Sequence, residues 1–181
     1  MNFRKLTLLA ALLGAAWAAH AAERFGFKGI ELGSGIAAVA NSPKYECRTA
    51  SAPGADTICS LRPREKETIA GAPVRSLFFF YFDNRLTGIT LHLEEKHFAQ
   101  VVEALRGKYG PGRVQTETVR NLKDLAFENR TLTWRSAGES LTAQRYTGRL
   151  DLSAIRFSAE DLVRDIERRR ADIARNPGKD L

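Results

Sequence analysis

The densest apolar stretch of the chain runs from residue 74 to residue 93. Val-Arg-Ser-Leu-Phe-Phe-Phe-Tyr-Phe (74–82) leads into Asp83-Asn84, two residues that tolerate positive φ, and a second alternating run covers 86–93. This is the pattern of a β-hairpin closed by a two-residue turn. A regular ladder from that turn sets Phe82 against Arg85, Phe80 against Thr87, Phe78 against Ile89, Ser76 against Leu91 and Val74 against Leu93 on one face, the expected core. The opposite face carries Arg75, Leu77, Phe79 and Tyr81 across from His92, Thr90, Gly88 and Leu86, which is too apolar for an ordinary solvated face. Either the C-terminal helix or the 45–62 region covers it, or it is a protein-binding or homodimer surface. Arg75, Leu77, Phe79, Tyr81, Leu86 and His92 are therefore the candidate interaction surface.

The rest of the pattern resolves around this hairpin. An extended entry at 25–30 precedes a short helix from Ser34, a candidate N-cap, to about Ala40, and Asn41-Ser42-Pro43 stops it. Short strands are expected at 45–49, 57–62 and 67–70. Phe98, Val101, Val102, Leu105 and Tyr109 fall on one stripe of a helix over 95–108 that Gly110-Pro111-Gly112 ends. Strands follow at 114–119, 126–127, 131–134, 140–146 and 150–157, with Ala137-Gly138 as a turn. The order helix, irregular strands, long hairpin thus occurs twice at a spacing of about 65 residues, which suggests a duplicated αββββ unit. A charged helix over 158–175 closes the domain. Ser158 and Asp161 resemble a capping box, Leu162, Val163, Ile166 and Ile173 form a thin apolar seam, and Glu160–Arg164, Asp165–Arg169 and Arg168–Asp172 are i,i+4 pairs. A frayed tail over 176–181 is expected after it.

The first segment changes the picture of where this domain folds. Arg4-Lys5 precedes an uncharged apolar run over 6–17 that ends in Ala19-His20-Ala21, the arrangement of a secretory signal peptide cleaved after Ala21. About twelve apolar residues are too few to span a hydrocarbon layer of ~30 Å. The expected address is the periplasm, with residues 1–21 removed, 22–157 as an α+β domain and no transmembrane span left after processing. Cys47 and Cys59 are the chain's two cysteines, and an oxidising compartment makes a Cys47–Cys59 disulfide the expected state. Such a bridge, closing a small, polar loop that includes Pro53-Gly54, contributes roughly 3 kcal/mol in the chain-entropy model.

Composition then narrows the function classes. The 181 residues, with 44% hydrophobic positions, support one ordinary core and exclude collagen, global disorder and a cysteine-rich mini-scaffold. The formal charge of +7 falls by the Arg4 and Lys5 charges on processing, and the remaining excess favours weak attraction to an anionic envelope component. Nucleic acid is not expected as a partner, since no recognition motif is present. No catalytic, cofactor-binding or metal-ligating residue is assigned. His92 and His97 stand H-x-x-x-x-H, which is not the zinc-peptidase spacing; no G-x-S-x-G elbow or phosphate-cradling glycine loop is present. Asn129-Arg130-Thr131 matches a glycosylation acceptor by accident of sequence.

Gly29-Ile30-Glu31-Leu32-Gly33, the Cys47 and Cys59 pair, Ile69-Ala70-Gly71-Ala72-Pro73-Val74, Lys108-Tyr109-Gly110-Pro111 and Trp134 together resemble small exported proteins of proteobacteria, over nearly all of the chain after the leader. The helix-then-antiparallel-sheet order is also similar to the β-lactamase-inhibitor-like fold and to small outer-membrane assembly lipoproteins of the SmpA/OmlA type. The chain departs from the latter in lacking a lipid-bearing cysteine at the end of the leader. Those groups act by binding, so the resemblance implies a binding role and carries over no catalytic residue. The expectation is an α+β protein with a mostly antiparallel sheet, two or three helices and one disulfide. It is expected to bind a protein partner or a second copy through a sheet face or the disulfide loop, as an inhibitor, an envelope-assembly accessory or a homodimer. The rival expectation is a hydrolase of an envelope polymer with a pair of carboxylates as acid and base.

Overall fold

A computed structural model describes residues 24–52 and 54–175. The expected leader with Ala21, Pro53 and the 176–181 tail lie outside these residues. The elements in chain order are β1 (Gly26–Phe27), β2 (Ile30–Glu31), α1 (Ala37–Ala40), β3 (Tyr45–Ala52), β4 (Ala55–Leu61), β5 (Thr68–Ile69), β6 (Ala72–Phe82), β7 (Arg85–Glu94), α2 (Phe98–Tyr109), β8 (Arg113–Arg120), β9 (Ala126–Ser136), β10 (Glu139–Gln144), β11 (Leu152–Ser158) and α3 (Glu160–Arg175). β1 and β2 form a small ribbon, and the other strands form one nine-stranded sheet in the order β3-β4-β6-β7-β11-β10-β9-β8, with the short β5 paired to β6. All its pairings are antiparallel. The protein is therefore α+β, built mainly on an antiparallel sheet.

The repeated element order has a spatial counterpart. α1 precedes the meander β3-β4-β6-β7, α2 precedes the meander β8-β9-β10-β11, and the two meanders meet through their last strands, β7 and β11, paired from Leu152↔Glu94 to Ser158↔Gly88. The earliest strand of each meander consequently lies at an outer edge of the sheet, β3 on one side and β8 on the other.

One face of this sheet is the core. Cross-strand partners align Cys59, Phe79, Ile89, Phe157, Leu141 and Trp134 in one row, and Leu77, Leu91, Ile155, Ala143 and Leu132 in the next. Phe98, Val101, Val102 and Leu105 of α2, Val39 of α1 and Phe27 of the ribbon belong to the same buried cluster. Each of these larger side chains contributes roughly 1.5–3 kcal/mol by leaving water. Tyr45 meets Phe79 edge-on at 5.3 Å, and Phe25 meets Tyr109 edge-on at 5.1 Å. The α2 stripe read from sequence is this contact. The helix enters through a 3-10 turn, Glu95–His97, and stops at Gly110, whose φ of 76° is left-handed and whose N–H donates to the Arg106 carbonyl.

The β6 faces are the reverse of the sequence expectation, while Ile89, Leu91 and Leu93 of β7 enter the core as expected. Phe82 opposes Arg85 as expected, but Tyr81 pairs with Leu86, Phe80 with Gly88 and Phe79 with Ile89, because Thr87 is an extra residue in β7. A bulge of one residue moves every following side chain to the other face. Leu77, Phe79, Tyr81 and Leu86, expected as an interaction surface, are at most 1% exposed and lie in the core. Arg75 falls in a second irregularity, between the Val74 and Ser76 pairings, and is exposed near Asp151. His92 lies on the face away from the core.

Other expectations are revised locally. The 48–58 segment is a β-hairpin rather than a clasped loop, and the Cys47–Cys59 disulfide joins directly paired positions of β3 and β4. The first helix is one turn and Ser34 does not cap it; the Asn84 side chain accepts the Ile36 N–H at 3.1 Å instead. The strands expected at 126–127 and 131–134 are one, β9. In α3 the charged pairs are i,i+3: Asp161 with Arg164, Asp165 with Arg168 and Asp172 with Arg175, while Glu160 reaches Arg135. The Asp161 N–H donates to the Gly138 carbonyl. Ala159 and Leu162 pack against the main core and Ile166 is buried.

Candidate functional site

With the bulge at Thr87, the side chains between the core positions of each strand point to the second face. Along β6 these are Ser76, Phe78, Phe80 and Phe82; along β7, Gly88, Thr90 and His92; along β11, Ala154 and Arg156; along β10, Thr142 and Gln144. The register places Ser60, Phe78, Thr90, Arg156, Thr142 and Thr133 in one row across six strands. Ile58 and Phe80 are partners in the neighbouring row, and Ser76 and His92 in the row on the other side. The centre of this face is thus an aromatic and aliphatic strip, Ile58, Phe78 and Phe80, beside a polar field around Arg156 and His92.

All of these side chains except Ala154 and Gly88 are half-buried. The Phe78 and Phe80 rings lie 6.5 Å apart in a tilted arrangement. α3 passes the Phe82 end of the face, where the Arg170 guanidinium stands 4.6 Å over the Phe82 ring and Val163 abuts Gly54 of the β3–β4 turn. Antiparallel sheets commonly pack one face on a core and leave the other to solvent, but a solvated face normally alternates to polar residues. Three large apolar side chains in adjacent positions are the departure here.

The polar half of the face is held by specific bonds. Ser76 Oγ lies 2.9 Å from His92 Nδ1. Arg156 donates to Gln144 Oε1 and to Thr147 Oγ1, each at 2.8 Å. Burial, and then the Arg156 charge, hold the His92 imidazole below its ordinary pKa, so it is neutral at pH 7. Burial also lowers the Arg156 pKa, though a guanidinium stays charged.

Elsewhere the surface offers less chemistry. A cleft of about 330 Å³ beside α2 contains Glu95 and Glu103, but Arg145 holds the first at 2.6 Å and Arg106 the second at 2.8 Å. A second cleft, about 500 Å³, lies between the 119–122 segment and the 146–150 loop, where Leu122 is fully exposed. Among the described residues no group of three His, Cys, Asp or Glu is placed to hold a metal ion, and no helix is long and apolar enough to cross a membrane. His97 stands in the 3-10 turn before α2. Asn129 is 1% exposed: its amide donates to Glu117 and to the Tyr146 carbonyl and accepts the Tyr146 N–H, a structural role that leaves no room for a glycan.

Arg156 and Phe78 were missed as site residues because the sequence ladder placed Phe78 in the core and gave β11 no facing partner. The signal for Arg156 is present in the sequence: within Ser153-Ala154-Ile155-Arg156-Phe157 it alternates against Ile155 and Phe157, so an arginine must face away from the core they enter. No family model, curated protein or solved structure matches this chain.

Proposed function

We propose that this chain is an exported binding protein of the bacterial envelope, freed from its leader after Ala21, that holds a partner protein on the open face of its sheet. The observation that carries this reading is the half-buried strip Ile58, Phe78 and Phe80 set against Arg156 on the sheet face away from the core. Apolar anchors beside a positioned guanidinium are the composition of a protein-binding patch, in which aromatic residues and arginine carry most of the energy. The export half rests on the leader and on the Cys47–Cys59 disulfide, which belongs to an oxidising compartment. The hydrolase alternative lacks support at the α2 cleft, where each carboxylate is tied to its own arginine.

A photo-crosslinking amino acid at Thr142, on the open face, and at Leu122, on the far loop, tests the reading in a bacterial envelope. A single dominant adduct is expected from Thr142 and not from Leu122, and it is lost when Phe78→Glu is added while the melting temperature stays within a few degrees. No adduct from Thr142, or an adduct unaffected by Phe78→Glu, refutes the use of this face.

A further inference from the structure

Arg156 carries a half-buried charge near the middle of the open face. Arg135, also on this face, pairs with Glu160, and many other cations among the described residues are tied to acids, whereas both bonds of the Arg156 fork go to neutral acceptors, Gln144 and Thr147. No carboxylate among the described residues pairs with it. A half-buried guanidinium has lost part of its water, and its planar fork matches a carboxylate in two-point geometry. Its neighbours in the ladder, Thr90 and Thr142, bring hydroxyls to either side, and His92 stands on the adjacent row.

We infer that Arg156 seats a carboxylate side chain of an extended segment of the partner protein, flanked by Thr90, Thr142 and His92, while Phe78 and Phe80 receive the apolar side chain of the same segment. This rests on the open-face reading above and names what that face selects. The position of the site suits a polypeptide: Arg156 stands in the middle of a sheet row between Thr90 and Thr142, where an extended segment can lie across the strands. Phe78 and Arg156 are separated by a single strand, β7, which puts them about 10 Å apart across the sheet. A segment in the extended polyproline II conformation advances about 3.1 Å per residue and returns to the same face every third residue, so an acid three positions from a large apolar residue spans the two.

The probes are two acetylated, amidated pentapeptides, Leu-Ser-Ser-Glu-Ser and Leu-Ser-Ser-Gln-Ser, titrated separately into the isotope-labelled, disulfide-bonded chain while the Arg156 Nε–H and the Phe78 and Phe80 ring signals are followed by NMR. Inorganic phosphate and phosphatidylglycerol vesicles are titrated in parallel. The glutamate peptide is expected to bind about tenfold more tightly than the glutamine peptide, the contribution of one charge-assisted pair. Arg156→Gln is expected to erase that preference, and Arg156→Lys, which keeps the charge without the fork, to retain part of it. Equal binding of the two peptides with shifts at Phe78 and Phe80 overturns the carboxylate seat and leaves open-face binding standing. A tighter response of Arg156 to phosphate or to vesicles overturns the protein segment in favour of a phosphate group. Silence of the whole face to every probe overturns the seat and the open-face reading together.

Discussion

The Thr87 hydroxyl lies 2.9 Å from the Phe80 carbonyl, and equally 2.9 Å from the Gly54 carbonyl of the β3–β4 turn. That contact sits at the bulge which turns Phe79 inward and Phe80 outward. The Thr87 carbonyl in turn accepts the Ala159 N–H, so the same residue fixes the start of α3. Thr87→Val keeps the shape and removes the one hydroxyl proton that the Gly54 and Phe80 carbonyls share. A loss of about 1–3 kcal/mol in denaturant titration is expected.

Glu67 ties the first half of the chain together. It is 5% exposed and bonds to Lys28 and Lys44, with the Tyr45 hydroxyl at 3.3 Å from the same carboxylate. Burial alone pushes its pKa up, but the hydrogen bonds and charges of Lys28 and Lys44 outweigh that and hold it at about 2. A carboxylate with a depressed folded-state pKa stabilises fully above its unfolded value near 4.5, and that stability is lost as pH falls toward 2. Both lysines are half exposed, so the contribution is on the order of 1–2 kcal/mol. Thermal melts of the wild type are expected to fall between pH 4.5 and 2 more steeply than those of Glu67→Gln, which starts lower at pH 7. Parallel pH profiles for the two would remove this account.

Trp134 closes the core at the β9 end. Its indole N–H donates to the Gly110 carbonyl at 2.8 Å, and its ring occupies the space a side chain at position 112 would need, with Cε2 2.7 Å from a Cβ placed there. The only other tryptophan, Trp17, lies in the expected leader. In the chain without residues 1–21, fluorescence therefore reports Trp134 alone and is expected to be blue-shifted and poorly quenched by acrylamide. Gly112→Ala should shift the emission red and cost about 1–3 kcal/mol through overpacking. Unchanged emission and stability in Gly112→Ala would contradict this packing.

The elements were largely legible, and the faces were not. α2 followed from its stripe, and the hairpin from its turn residues, since both signals are local and survive any tertiary arrangement. The doubled αββββ order was visible as spacing, and its consequence, two meanders meeting at β7 and β11, needed the long-range pairing that no local pattern encodes. The face assignment failed at one residue. Leu86 and Ile89 are an odd number of positions apart, so a regular strand sends them to opposite faces, and only the bulge at Thr87 lets both enter the core. Ile89, Leu91 and Leu93 alternate with Thr90 and His92 and mark that core face in the sequence; matching β6 to them instead of counting from the turn puts Leu77, Phe79 and Tyr81 inside.

The account turns on which of two adjacent phenylalanines faces solvent, and Phe78→Asp compared with Phe79→Asp by urea titration decides it. Phe79 is fully buried between Cys59 and Ile89, and Phe78 is half-buried between Ser60 and Thr90. Phe79→Asp is expected to lose more than about 4 kcal/mol and to fold poorly, since it leaves a cavity and buries an unpaired charge. Phe78→Asp is expected to cost about 1 kcal/mol or less and to keep a cooperative transition. The reverse order, with Phe78→Asp the damaging change, would contradict the register at Thr87, the open face and the binding role built on it.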